Sequence, residues 1–318
     1  MTDRQINRWL RKQFAPVGWV LLANYWLLNL MVMAVAGVDY LMQLLQNIAV
    51  GAFPFDVDVD AIYNNAWGYA VSIGVALVLL YAWKGPDYWK TEIFAKEKKI
   101  RLPVFLAATV LCMGAQMLSS VWMTIVELVM NSFGSSVMPI LDSVSGSTSS
   151  FSMFLYSALL APVYEEILFR GFVLRTLRPY GKRFAIWGSA LAFGFFHGNI
   201  LQAPYAVAVG LLLGWLTCEY SIKWAIALHM FNNLILAEGI TRLLEYLPYE
   251  VADLLFGGIF TGAFVVSCIL LIKKRSGIKA YRGSEWIDRR CVKCFITNWG
   301  MILFLATMVI SMISMMAI

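Results

Sequence analysis

Long apolar runs without charge alternate along this chain with short charged connectors. Crossing a bilayer takes about 20 consecutive apolar helical residues. Val17–Val38, Ala66–Trp83 and Leu102–Val126 meet that length or approach it, as do Leu254–Ile272 and Phe295–Ile318. Phe184–Cys218 runs for 35 residues without Asp, Glu, Lys or Arg, long enough for two spans. Two less apolar segments, about 151–172 and 223–241, complete the pattern. The expectation is an all-α, polytopic transmembrane bundle of about 8–9 spans. It divides into N-terminal helices over 1–150, a central group over 151–245 and C-terminal helices over 246–318.

Composition narrows the class. Of 318 residues, 60% are hydrophobic and 14% charged, too few charges for the surface of a soluble domain. The charges are also unevenly placed. Arg4, Arg8, Arg11 and Lys12 precede the first run, six Lys or Arg lie in 84–101, and Arg175, Arg178, Lys182 and Arg183 follow the fourth. Eight more lie in 273–293, whereas 39–66 carries Asp39, Asp56, Asp58 and Asp60 with no base. With a cytoplasmic N-terminus and nine spans, 24 of the 25 Lys and Arg fall toward the cytoplasm, Arg242 being the exception. The net charge of +6 then belongs to loops facing anionic lipid, not to a nucleic-acid surface. "MAVAG" (33–37) has the form of a signal-peptidase site, but the 22-residue run before it favours an uncleaved first span.

The remaining connectors and cysteines add less. "YWKTEIFAKEKKIR" (88–101) and "LLEYLPYEVADLL" (243–255) read either as interfacial helices or as solvated connectors. Cys112, Cys218 and Cys268 sit in or beside apolar runs as inert thiols. Cys291-x-x-Cys294 has no second ligand pair for a zinc ribbon and is assigned no specific role.

Chemistry enters with the polar residues inside the runs. An ionisable group at the bilayer centre costs roughly 2.5–3.5 kcal/mol on insertion scales, so such groups face the bundle interior and find partners. "VYEEILFR" (163–170) carries Glu165, Glu166 and Arg170. Glu166 and Arg170 are spaced i,i+4 with the acid first, the favoured order for a helical ion pair. Glu165 is rotated by about 100° and is left to act on something else. Pro162 removes a backbone hydrogen bond and is expected to kink the helix there. Both histidines of the chain also fall in apolar segments. His197 is framed by Gly194 and Gly198 as G-x-x-x-G, a spacing that admits a close helix neighbour. His229 shares a helix face with Asn233. Counted from the nearest inner basic residues, Glu165, His197 and His229 lie roughly 15, 21 and 9 Å deep at 1.5 Å per residue. Helix tilt absorbs that spread.

A carboxylate and a histidine can share a water and take its proton, while a second histidine and an amide donate to the oxyanion that forms. No serine or cysteine is placed as a nucleophile. Taken singly, each of these residues is more often structural, and Glu, His and Arg together also serve proton-coupled transport. The chain shows neither an inverted repeat nor paired broken helices to support transport.

Glu165-Glu166-x-x-x-Arg170, Phe193-x-x-x-His197 and His229-x-x-x-Asn233 resemble, in order and spacing, the three motifs of the CPBP family. These are the CAAX proteases and bacteriocin-processing enzymes, also called Abi, which include the type II CAAX prenyl endopeptidases. The resemblance covers roughly residues 160–240 and implies a glutamic intramembrane endopeptidase. It implies that Glu165 with His197 activates water and that His229 and Asn233 form the oxyanion site. Glu166, Arg170 and Phe193 would support them. It implies a membrane-embedded or membrane-associated peptide or protein substrate within the lipid bilayer, and the expected location is multi-pass in the plasma membrane of a prokaryote. No cofactor is expected, although a Glu/His/His set is compatible with zinc. The alternative within the same fold is a non-catalytic scaffold or bacteriocin-immunity protein that regulates a partner such as a sensor kinase.

Overall fold

The computed structural model describes residues 2–52, 57–95, 98–139, 141, 150–283 and 287–316. Every regular element among them is helical. Asp56 and most of the Ser-rich stretch before Ser150 lie outside the described residues.

Helix α1 runs over Asp3–Ala49, 47 residues or about 70 Å, far beyond the 22-residue span expected. Thr2 and Gln5 close a reciprocal capping box at its start. Its buried residues, Leu10, Phe14, Val17, Gly18 and Leu21, lie in its first half, and its second half meets Gly68 at Val32 and Asn65 at Asp39. Helix α2 is Trp67–Tyr88 and runs on as Trp89–Ile93. Gly85 interrupts it with φ 76°, a conformation that glycine tolerates. Of the two readings of 88–101, helix or connector, the first holds only as far as Ile93, and α3, Leu102–Ser132, begins with Pro103 in its first turn.

Helix α4 is Phe151–Tyr180. Two short helices follow, α5 at Lys182–Phe196 and α6 at Ala203–Glu219. The uncharged run was expected to form two full spans. It instead turns at His197, where Gly198 takes φ 60° and the Asn199 side chain accepts from the Leu201 N–H. Helix α7, Ile222–Phe231, continues through Asn232–Gly239 to Leu244. It joins α8, Tyr249–Lys273, through a short connector, so 243–255 holds no separate surface helix. The chain closes with α9, Arg275–Gly283, α10, Arg289–Ile296, and α11, Trp299–Met316.

Among the described residues six helices are long and apolar enough to cross a membrane: α1, the segment Val59–Ile93 containing α2, α3, α4, α8 and α11. The chain is an integral, multi-pass membrane protein. The six fall short of the expected 8–9 because α5, with 15 residues, and α6, with 17, are too short. Helix α7 carries His229, Asn232, Asn233 and Glu238 where a plain span would be apolar.

Helices α4 to α7 pack on one another at the centre, with α3 against α6 and α8 against α3. Helix α1 gathers α2, α10 and α11 on the other side. Cys291, Cys294 and Phe295 of α10 turn inward onto Leu10 and Phe14 of α1. Burial, and next the charge of Asp288, pushes the Cys291 thiol above its ordinary range. The α1–α11 crossing depends on glycine: a Cβ on Gly18 would stand 2.2 Å from the Gly300 carbonyl carbon. The expected G-x-x-x-G contact divides. A Cβ on Gly194 would meet Val207 and the Ala203 carbonyl of α6 at 2.3 and 2.8 Å, whereas Gly198 both makes the turn and stands against Ser311 of α11, whose Oγ a Cβ would meet at 2.8 Å.

Gly18→Ala is expected to destabilise the protein by about 1–3 kcal/mol through overpacking. Gly257→Ala, where a Cβ meets nothing within 4 Å, is expected to leave stability unchanged or raise it. Thermal unfolding of the two variants in the same detergent checks the contrast.

Candidate functional site

Helix α4 is uneven along its length. Its middle, Ala161–Glu166, lies between two stretches of wider π-type turns at Tyr156–Leu160 and Ile167–Leu174. Pro162 has no N–H to give, and the Ala161 N–H just before it reaches back five residues to the Tyr156 carbonyl. The proline is thus accommodated by widened turns, which often accompany functional positions.

The i,i+4 pair forms as the spacing predicts. Arg170 Nη1 donates to Glu166 Oε1 at 2.9 Å, with both side chains fully buried. The pair also reaches other helices. Arg170 Nη2 donates to the Gly210 carbonyl of α6 at 3.1 Å, and the guanidinium stands 4.5 Å from the Phe193 ring centroid of α5. Glu166 Oε1 lies 2.9 Å from His229 Nδ1 of α7. One ion pair therefore fixes four helices together.

Glu165 occupies a different setting on the same helix. Its side chain retains 19% exposure, and Oε2 lies 3.7 Å from His229 Nε2. The two carboxylates of VYEEILFR thus address the two nitrogens of one imidazole. Tyr156 and Tyr164 lie within electrostatic reach of Glu165. Tyr164 donates to Asn24 Oδ1 of α1, and the Tyr69 ring of α2 lies 4.6 Å from that of Tyr156.

His197 sits at the C-terminal end of α5, with Nδ1 2.8 Å from the Phe193 carbonyl. No hydrogen bond or ion pair joins it to Glu165 among the described residues. Phe193 instead links the two histidines: its ring centroid is 4.8 Å from the His197 ring and 5.7 Å from the His229 ring, edge to face with both. Phe169 packs on its other side at 5.1 Å. Asn233 Nδ2 donates to the Ser157 carbonyl of α4 at 2.9 Å, while its Oδ1 accepts from Asn232 at 3.1 Å. Tyr205 of α6 donates to Asn232 Oδ1 at 2.8 Å.

Sequence reasoning passed over Asn24, Tyr164, Tyr156 and Tyr205. A signal existed for Asn24, an amide in the middle of "LLANYWLL", but nothing local indicated that it faces Tyr164. Among the described residues no group of three His, Cys, Asp or Glu side chains is arranged to hold a metal ion.

Residues 147–235 match the family model described as "Type II CAAX prenyl endopeptidase Rce1-like". The matched segment holds all three motifs, from Glu165 to Asn233, and accords with the resemblance to the CPBP family. No curated protein and no solved structure matches the chain.

Arg170→Ala leaves Glu166 as an unpaired buried charge and is expected to cost about 3–5 kcal/mol. Pairing Arg170→Met with Glu166→Gln is expected to recover much of that loss. Chemical denaturation in detergent measures both.

Proposed function

We propose that this chain is an intramembrane endopeptidase of the glutamic type. The observation that carries the reading is the Glu165–His229–Glu166 contact, made inside the segment matching a prenyl endopeptidase family. A buried polar cluster in an apolar bundle needs a strong reason to exist, and this one contains both a proton acceptor and hydrogen-bond donors.

In this reading Glu165 is the general base. Its position on α4 leaves the carboxylate partly exposed, while Glu166 is buried and tied to Arg170. A water beside Glu165 loses a proton as its oxygen attacks the scissile carbonyl carbon. His197 assists from the end of α5, with Nδ1 occupied by the Phe193 carbonyl. His229 and Asn233 stabilise the oxyanion, preorganised by Glu166 and by the Ser157 carbonyl. Arg170 and Phe193 hold the three helices in register. The low-dielectric surroundings strengthen each of these interactions.

The substrate is a membrane-embedded or membrane-associated peptide cut in the cytoplasmic half of the bilayer, where the basic loops cluster. The description of the matching family makes a prenylated C-a-a-X tail the first class to test. With purified protein in nanodiscs and a farnesylated C-a-a-X peptide, Glu165→Ala, His197→Ala and His229→Ala are each expected to lower turnover by about 10²-fold or more. Insertion and Tm should stay close to wild type for Glu165→Ala and His197→Ala. Full activity of Glu165→Ala would falsify the mechanism.

A further inference from the structure

The hydrogen-bond partners of the two imidazoles define which ring nitrogen carries hydrogen. A backbone carbonyl only accepts, so His197 Nδ1, 2.8 Å from the Phe193 carbonyl, must donate. Glu166 Oε1, which already accepts from Arg170 Nη1, is the atom that His229 Nδ1 meets, so that ring nitrogen donates as well. In the neutral rings the hydrogen then lies on Nδ1 of both histidines, and both Nε2 atoms are acceptors. A neutral His229 in this form cannot donate through Nε2 to an oxyanion. It faces Glu165 Oε2 at 3.7 Å with a lone pair.

We propose that Glu166 is a positioning residue that fixes the Nδ1–H tautomer of His229, and that His229 relays the proton Glu165 takes from water. The inference rests on the endopeptidase reading above and gives His229 a second task within it. The water oxygen bonds to the carbonyl carbon, and the carbonyl π pair becomes the oxyanion. The water proton moves to Glu165 and from there to His229 Nε2. The imidazolium, backed by Glu166, now donates from Nε2 to the oxyanion. Collapse breaks the C–N bond, and the same proton leaves Nε2 for the departing amine. The products are an acid and an amine, with one water consumed and no other reactant. A carboxylate that holds a catalytic imidazole in one tautomer and stabilises its charged form is an established arrangement. Here the carboxylate is itself anchored by Arg170, and Arg170 by the Gly210 carbonyl. Among the described residues the charged groups paired with His229 are Glu165 and Glu166 of α4, with Arg170 behind Glu166; Phe193 of α5 covers its ring.

The chain holds only two histidines, so ¹⁵N-histidine labelling of the full protein in nanodiscs reports two rings, assigned through His197→Gln. The expected spectrum shows both neutral rings protonated on Nδ1 and not on Nε2. In Glu166→Gln, His229 is expected to gain an Nε2–H population, with kcat on the farnesylated C-a-a-X peptide falling about 10²-fold or more and KM within about twofold. A resting His229 that carries hydrogen on Nε2, in a neutral or a doubly protonated ring, overturns the relay. So does an unchanged kcat in Glu166→Gln beside an inactive Glu165→Ala. Full activity of Glu165→Ala overturns the Glu165 mechanism and the relay together, while leaving the endopeptidase activity itself shown. If Glu166→Gln fails to fold, the wild-type spectrum alone decides.

Discussion

A buried carboxylate and a buried guanidinium, four residues apart on one helix, hold the centre of this bundle together. Each charge alone is unaffordable in an apolar interior, and their mutual attraction offsets only part of the desolvation. Hydrogen bonds to other helices offset a further part: the Gly210 carbonyl takes one guanidinium donor and His229 gives one to Glu166, while among the described residues Glu166 Oε2 and Arg170 Nε stay without a hydrogen-bond partner. Because those partners come from α6 and α7, satisfying the pair also sets where the two helices stand. The Phe193 ring under the guanidinium brings in α5. A requirement of electrostatics thus becomes a set of helix positions.

The same requirement separates two adjacent glutamates. Glu166 is consumed by Arg170 and His229, whereas Glu165, one residue earlier, looks toward the opposite nitrogen of that imidazole and keeps some exposure. A fixed carboxylate behind a ring and an accessible one in front give the ring a direction. The widened turns on either side of Ala161–Glu166 place this contrast on the irregular part of α4, and α1 supports it from outside the matched segment through Asn24 and Tyr164.

Much of this was legible from residue order. The Glu166–Arg170 pair follows from i,i+4 spacing, which is a property of any helix, and the rotation of Glu165 away from it follows equally. The helical, membrane-spanning class follows from run length and charge scarcity. The turn at His197 was less visible, because 35 uncharged residues look like spans and the Gly198-Asn199 stop signal sits inside them. The 47-residue extent of α1 was hidden for a related reason. Its polar ends continue the helix without being apolar.

The sequence by itself determined the helical class, the burial of charge in the fourth apolar segment and the identity of the polar residues that need partners. These depend on composition and on contacts within a single turn. Only the tertiary structure decided that His229 stands between the two carboxylates, that Phe193 rather than a direct bond links the two histidines, and that Asn233 reaches the Ser157 carbonyl. Those facts depend on how separate helices cross and rotate against one another. Crossing geometry is set by glycine approaches and ring packing spread over the whole bundle, and no local stretch of residues encodes it.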